Sequence, residues 1–325
     1  MTAARRGRRW VVATAVSLGV AAGSVVPATA NGPGPRAVDD PAVTSGLAWH
    51  LDATGARTAW RSSLGVGTTV AVVDSPVDAG HPDLVGQVAE ATSCVGAQGD
   101  PARCTPVALG EAPSGDAHGT HVAGIVAARA DDGVGVAGVA PRARLLAIHA
   151  LLPDCDEAGC VPLGDTADVA AGVRWAVANG ADVINLSLTA GRRLGPDLTA
   201  ALEEAWAAGA VPVLAAGNGD GTGLVEFLDR PSAVIVTATT RSGASASYAP
   251  DVDRSPLGVA APGGTRGDTP ATCAVGATPG GIISSSARGG GDGSGYACLA
   301  GTSMAAPQVS GGLALLLAMG FDRDG

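Results

Sequence analysis

The chain has 325 residues, 46% of them hydrophobic and 15% charged, with 49 glycines and 21 prolines. That is ample apolar material for a large core, and the Gly and Pro content is too low for a collagen-like or disordered chain. The 20 basic residues are all Arg, and four of them fall in the first thirty positions, which contain no acid. The remainder sets 16 Arg against 30 acidic residues, a formal −14, and offers no electrostatic footprint for a phosphate backbone, so nucleic acid is not an expected partner.

In chain order, Arg5, Arg6, Arg8 and Arg9 precede an apolar run over 10–26 that ends in Ala28-Thr29-Ala30. A charged start, an apolar middle and a small-x-small end predict a signal peptide over 1–30, cleaved after Ala30. As a retained anchor the run falls short of the ~20 residues that span a bilayer, and Gly19 and Gly23 interrupt it. The mature protein is therefore expected to be secreted, extracellular, free of the membrane and monomeric. Residues 31–41 read as a short leader, and 42–325 as one domain, short at its C-terminus.

Within that domain the stretch 49–60 reads as the first helix. Apolar, β-rich runs at 69–73, 144–149, 182–188, 211–215, 233–238 and 257–260 alternate with Ala-rich helical segments at 166–179 and 196–208. These helices stop at Gly180 and Gly209, where a left-handed terminus costs glycine little. Alternation of this kind predicts an α/β fold, an open and mostly parallel sheet with helices on both faces.

Export makes disulfides the default for the six cysteines, which cluster in twos. The expected pairs are Cys94 with Cys104, Cys155 with Cys160, and Cys273 with Cys298. No CxxC occurs and no His accompanies the cysteines, which argues against zinc.

Three segments carry chemistry. Val70-Ala71-Val72-Val73-Asp74-Ser75 puts a carboxylate at the end of a buried strand, where α/β sheets open their ligand crevice. In Asp116-Ala117-His118-Gly119-Thr120-His121 an imidazole opens a helix of small residues, without the general-base Glu of an HExxH metal site. Gly301-Thr302-Ser303-Met304 places a serine at a helix N-terminus, where backbone N–H groups favour negative charge. Taken singly, these residues read as a turn Asp, a helix His and an N-cap Ser. The order Asp, His, Ser is one of the known chain orders of the hydrolytic triad.

With AVVDS, HPDL, HGTHVAG, GVAP, VINLSL, AAGN, AAPGG and GTSMAAP in this order, the chain resembles the subtilisin-like serine proteases. The resemblance implies an acyl-enzyme peptidase in which Ser303 is nucleophile, His118 general base and acid, and Asp74 the group that orients the imidazole. It makes Asn218 the oxyanion-hole amide and the segment at Ser187, Leu188 and Thr189 the edge that pairs with a peptide substrate. No cofactor is expected for catalysis. Calcium on Asp83, Asp131 and Asp132 is an option in some relatives, but solvated acidic turns are the preferred reading and no metal is predicted.

Departures from the family pattern are Pro76, where Gly stands two residues after the Asp; Thr189, where Gly follows the Leu; and only 22 residues after Ser303. They keep open a silent homologue that binds peptide or a partner protein. The signal peptide, the cysteines and the short leader are also similar to the mycosins of actinobacteria.

Overall fold

A computed structural model describes residues 36–109, 118–156, 159–188, 194–219, 232–269, 271–287 and 294–321. The signal-peptide and leader readings up to residue 35, and Thr189, lie outside them. An eight-stranded sheet runs β10-β9-β8-β7-β1-β4-β2-β3, with β1 Thr69–Asp74, β2 Val88–Ser93, β3 Thr105–Pro106, β4 Arg144–His149, β7 Val183–Leu186, β8 Val211–Ala215, β9 Val234–Thr239 and β10 Gly258–Pro262. Its pairings are parallel except β2 with β3 at one edge.

The two-residue period of the strands sorts side chains between two cores. Val70 and Val72 of β1 pack with helices α4 (His118–Ala127) and α7 (Thr302–Ala318), whereas Ala71 and Val73 pack with α5 (Thr166–Ala178) and α6 (Gly195–Ala208). Both faces of the sheet are thus covered, which is why its strands are apolar almost throughout. Helix α6 ends at Gly209 with φ 102° and α5 is followed by Gly180 with φ 76°, the left-handed geometry that glycine supplies.

The structure corrects the expected first helix and adds elements that were not expected. The first helix is not continuous over 49–60: Gly55, at φ 73°, separates α2 (Trp49–Ala53) from α3 (Ala56–Ala59), and α1 (Pro41–Thr44) precedes both. Positive φ cannot be accommodated inside an α-helix, so the chain turns there while Trp49 and Trp60 both stay buried. Strand β2 is an additional strand with no alternating apolar pattern to announce it, since only Val88 and Thr92 are buried. The hairpins β5–β6 (Leu152–Asp156, Gly159–Leu163) and β11–β12 (Ile282–Ser285, Tyr296–Leu299) stand outside the main sheet.

Cys94 is bridged to Cys104 and Cys273 to Cys298. The first bridge ties the end of β2 to the start of β3, and the second ties β12 to the loop after β10. The backbones of Cys155 and Cys160 face each other in the β5–β6 register. Their side chains lie outside the described residues.

Candidate active site

The C-terminal ends of the parallel strands gather the residues singled out in the sequence. Asp74 is the last residue of β1 and fully buried. Its Oδ1 accepts the Ser75 N–H at 2.7 Å and lies 2.7 Å from Nδ1 of His118, the first residue of α4. A buried carboxylate at this distance fixes the ring and the tautomer in which Nδ1 carries the proton, leaving Nε2 as the basic nitrogen.

The approach of α4 to β1 depends on Gly119. A Cβ there would run into the Ser75 carbonyl oxygen and come to 3.0 Å from that of Pro76. The Gly119 N–H instead donates to Ser75 Oγ at 2.9 Å. Pro76 is absent from the residues with positive φ, so its ring meets no conformational conflict, and the Asp74–His118 contact forms with the proline in place.

Ser303 is the second residue of α7, where a backbone N–H has no intrahelical acceptor and is free for an anion. Four residues on stands Pro307, inside the helix. Having no N–H, it cannot close the helical bond to the Ser303 carbonyl. The hydroxyl of Ser187, one residue past β7, donates to that carbonyl at 2.8 Å instead. Ser187 Oγ in turn accepts from Asn185 Nδ2 at 2.9 Å, and Asn185 Oδ1 accepts the Ser310 hydroxyl at 2.9 Å. A buried polar chain thereby pins the helix that carries Ser303 to the sheet. The Ser187 side chain is thus engaged within the fold, which leaves the main-chain edge at Ser187 and Leu188 untouched; Leu188 is half-buried.

Asn218 lies just past β8. Its Oδ1 accepts the Thr302 N–H at 2.7 Å and the Thr302 hydroxyl at 3.1 Å, and Thr302 Oγ1 itself accepts from the Gly217 N–H at 3.1 Å. Both contacts to Asn218 require an acceptor, which assigns the amide and turns its Nδ2 donors away from Thr302. That orientation suits donation to an oxyanion beside Ser303.

Sequence reasoning misses Ser75, Gly119, Asn185, Thr302, Pro307 and Ser310 as participants. The signal available is Pro307 itself, since a proline four residues after a helical serine demands an outside donor for that serine's carbonyl. His121, fully buried, has Nε2 3.1 Å from each of the Ile282 and Ala297 carbonyls, so it braces β11 and β12. Burial lowers its pKa to about 3, which keeps it neutral.

Of the acidic residues near α4, Asp131 is exposed and Asp132 half-buried in a surface loop, whereas Asp83 is not a solvated turn. Asp83 is fully buried, with its pKa raised to about 7 by desolvation, and its oxygens accept from the Val136 N–H at 3.1 Å and, at 3.4 Å, from the Tyr296 and Ser285 hydroxyls. Asp131 pairs with Arg36 at 3.1 Å and Asp132 with Arg129 at 3.0 Å. Burial forces Asp83 to find protein donors, while the two loop carboxylates find arginines. Among the described residues no cluster of three or more His, Cys, Asp or Glu is arranged to hold a metal. Likewise, no helix among them is long and apolar enough to cross a membrane.

Residues 65–323 match the model of the subtilase family. The chain is 34% identical over 263 residues to thermitase from Thermoactinomyces vulgaris, covering 81% of this chain and 79% of the relative. It is 34% identical over 257 residues to subtilisin E from Bacillus subtilis and 35% identical over 254 to a thermophilic serine proteinase from a Bacillus strain. Each match takes in 78% of this chain, which spans 56% and 53% of the length of these two relatives. A solved protease structure from Pseudoalteromonas arctica superimposes with a TM-score of 0.69 at 29% identity, covering 86% of each chain. The extent of the family match, together with 34% identity to thermitase over 81% of this chain, makes the chain a member of the subtilase family and thereby a serine-type endopeptidase hydrolase acting on polypeptides.

Proposed function

We propose that the protein is a secreted endopeptidase that cleaves peptide bonds through an acyl-enzyme on Ser303. The observation that carries this reading is the 2.7 Å contact between the buried Asp74 carboxylate and His118 Nδ1 at the mouth of the sheet, beside the helix that presents Ser303. His118 Nε2 takes the proton of the Ser303 hydroxyl as its oxygen attacks the scissile carbonyl, and later gives that proton to the departing amine. Asp74 holds the ring and stabilises the imidazolium. The Ser303 N–H and Asn218 Nδ2 bind the oxyanion of the tetrahedral intermediate, and water then attacks the acyl-enzyme by the same route in reverse.

Losing one oxyanion donor costs ~3 kcal/mol of barrier in subtilisin, a precedent from within the family for the weight of Asn218. Pro76 in the sequence favours a silent homologue; the intact Asp74–His118 contact supports the active one. A fluorophosphonate probe tests the reading, because it reacts with an activated serine and not with a fold. Labelling is expected on the disulfide-intact protein and lost in Ser303→Ala of unchanged melting temperature. Equal labelling of the variant, or none of the parent, refutes it.

A further inference from the structure

Beside Asn218 lies a cavity of about 390 Å³, lined by Asn218, Gly219, Ser247, Tyr248, Thr265 and Arg266. It sits over the ends of β8, β9 and β10, whereas Ser187 and Leu188 follow β7 and His118 faces β1. The oxyanion amide is therefore shared between the catalytic groups and this cavity, and a polypeptide reacting at Ser303 passes its rim.

The notable wall is Arg266, an exposed cation in an acidic protein. Its guanidinium carbon stacks 4.8 Å from the centre of the Tyr248 ring, and Nη2 donates to the Asn218 carbonyl at 3.4 Å. Tyr248 is itself anchored, being buried and donating its hydroxyl to the Gly264 carbonyl at 2.8 Å. A stacked ring and one carbonyl fix the plane of the guanidinium but occupy little of its five-donor fork. Among the described residues no carboxylate pairs with it. The nearest in sequence, Asp268, is turned to the Gly280 and Gly281 N–H groups and the Thr272 hydroxyl. Ser247 and Thr265 complete a polar lining to which, among the described residues, no carboxylate contributes.

We infer that Arg266 is a specificity-determining residue which pairs with a substrate carboxylate in this cavity, close to the scissile bond. The carboxylate is that of an Asp or Glu side chain or the α-carboxylate of a peptide that ends there. An orientated planar fork meets a carboxylate through two parallel N–H···O bonds, the geometry for which Arg surpasses Lys. This inference rests on Ser303 and Asn218 being the reacting site.

The experiment uses internally quenched peptide pools with Glu or Gln at each of three positions on either side of the cleaved bond, cleavage sites being read by mass spectrometry. Wild-type protein should prefer Glu over Gln at one position by about tenfold in kcat/KM, the effect of a charge-assisted hydrogen bond. The preference should fall towards one in R266Q, remain partial in R266K, and shrink with added salt as the charges are screened. The ratio is taken within each enzyme, so a change in overall activity does not enter it. Free and amidated peptide C-termini distinguish the two carboxylate sources. Binding of the same Glu and Gln peptides to the Ser303→Ala protein, by calorimetry, gives the ratio without turnover and separates failure of this inference from failure of the proteolytic reading. Equal treatment of Glu and Gln by the wild type, or a preference that survives in R266Q, overturns it.

Discussion

The bond from the Ser187 hydroxyl to the Ser303 carbonyl exists because Pro307 cannot supply an N–H, and this can be tested as a coupling between residues 187 and 307. Ser187→Ala leaves a buried carbonyl without a donor and Asn185 Nδ2 without its acceptor at 2.9 Å, a loss of about 1–3 kcal/mol. Pro307→Ala restores a helical N–H to the same carbonyl, whose two lone pairs can accept from both donors. In that background Ser187→Ala removes only one of two donors and should cost about 1 kcal/mol less. The cavity left by the proline ring and the more flexible unfolded chain cancel around the cycle, because both occur with and without Ser187. Denaturant unfolding of the four proteins measures the coupling, and their fluorophosphonate rates show whether the serine is displaced. If the two effects add within about 0.5 kcal/mol, the hydroxyl is not standing in for the missing N–H.

Gly119→Ala should slow fluorophosphonate labelling by about a hundredfold, because relieving the overlap with the Ser75 carbonyl demands a shift on the order of 1 Å between His118 and Asp74; the helix gains at most about 1 kcal/mol from the alanine, and wild-type labelling would refute the reasoning. Pro76→Gly should leave the labelling rate within a few-fold and lower stability by about 0.4–1 kcal/mol through the unfolded chain, whereas a large gain in rate would mean that the proline disables the natural site. His50 and His121 are held neutral by burial, with pKa values lowered from 6.5 to about 3, so below pH 6.5 the unfolded chain binds more protons and each histidine removes up to about 1.4 kcal/mol of stability per pH unit. Asp83, raised from 3.8 to about 7, works the other way, its contribution being lost as pH rises through 7, and it offsets one histidine between pH 4 and 6.5. The melting temperature should therefore fall on acidification through this range, and fall less steeply in His50→Phe; an unchanged slope in that variant would contradict the assignment.

How much of the fold is legible follows from which forces shape each element. The central strands lie between two helix layers, so both of their faces are apolar, and a continuous run such as Val70-Ala71-Val72-Val73 is enough to mark one. Strand β2 lies towards the sheet edge, where only Val88 and Thr92 are buried, and Ala89, Glu90 and Ala91 carry no two-residue period. The break at Gly55 is visible as a residue but not as a turn, because glycine permits positive φ without requiring it, and only the packing of Trp49 and Trp60 decides.

The site divides along a similar line. Asp74, His118, Ser303 and Asn218, the proposed reacting groups, are legible because such groups need particular side chains in fixed surroundings, and the surroundings leave long motifs. The residues that hold them in place are small hydroxyls and glycines whose identity says little until the chain is folded. The family resemblance gives Ser187 a main-chain role in a substrate edge, but the task of its hydroxyl has no local signature, because the partner of that side chain lies 116 positions away. Asp83 shows the limit from the other side. A carboxylate beside a turn is most often solvated, yet this one is enclosed by Val136, Ser285 and Tyr296, and the last two lie more than 200 residues along the chain. The geometry of the proposed triad thus depends on contacts with no local signature: a proline that withholds an N–H, a serine that replaces it, and a glycine whose missing Cβ lets His118 come within 2.7 Å of the Asp74 carboxylate.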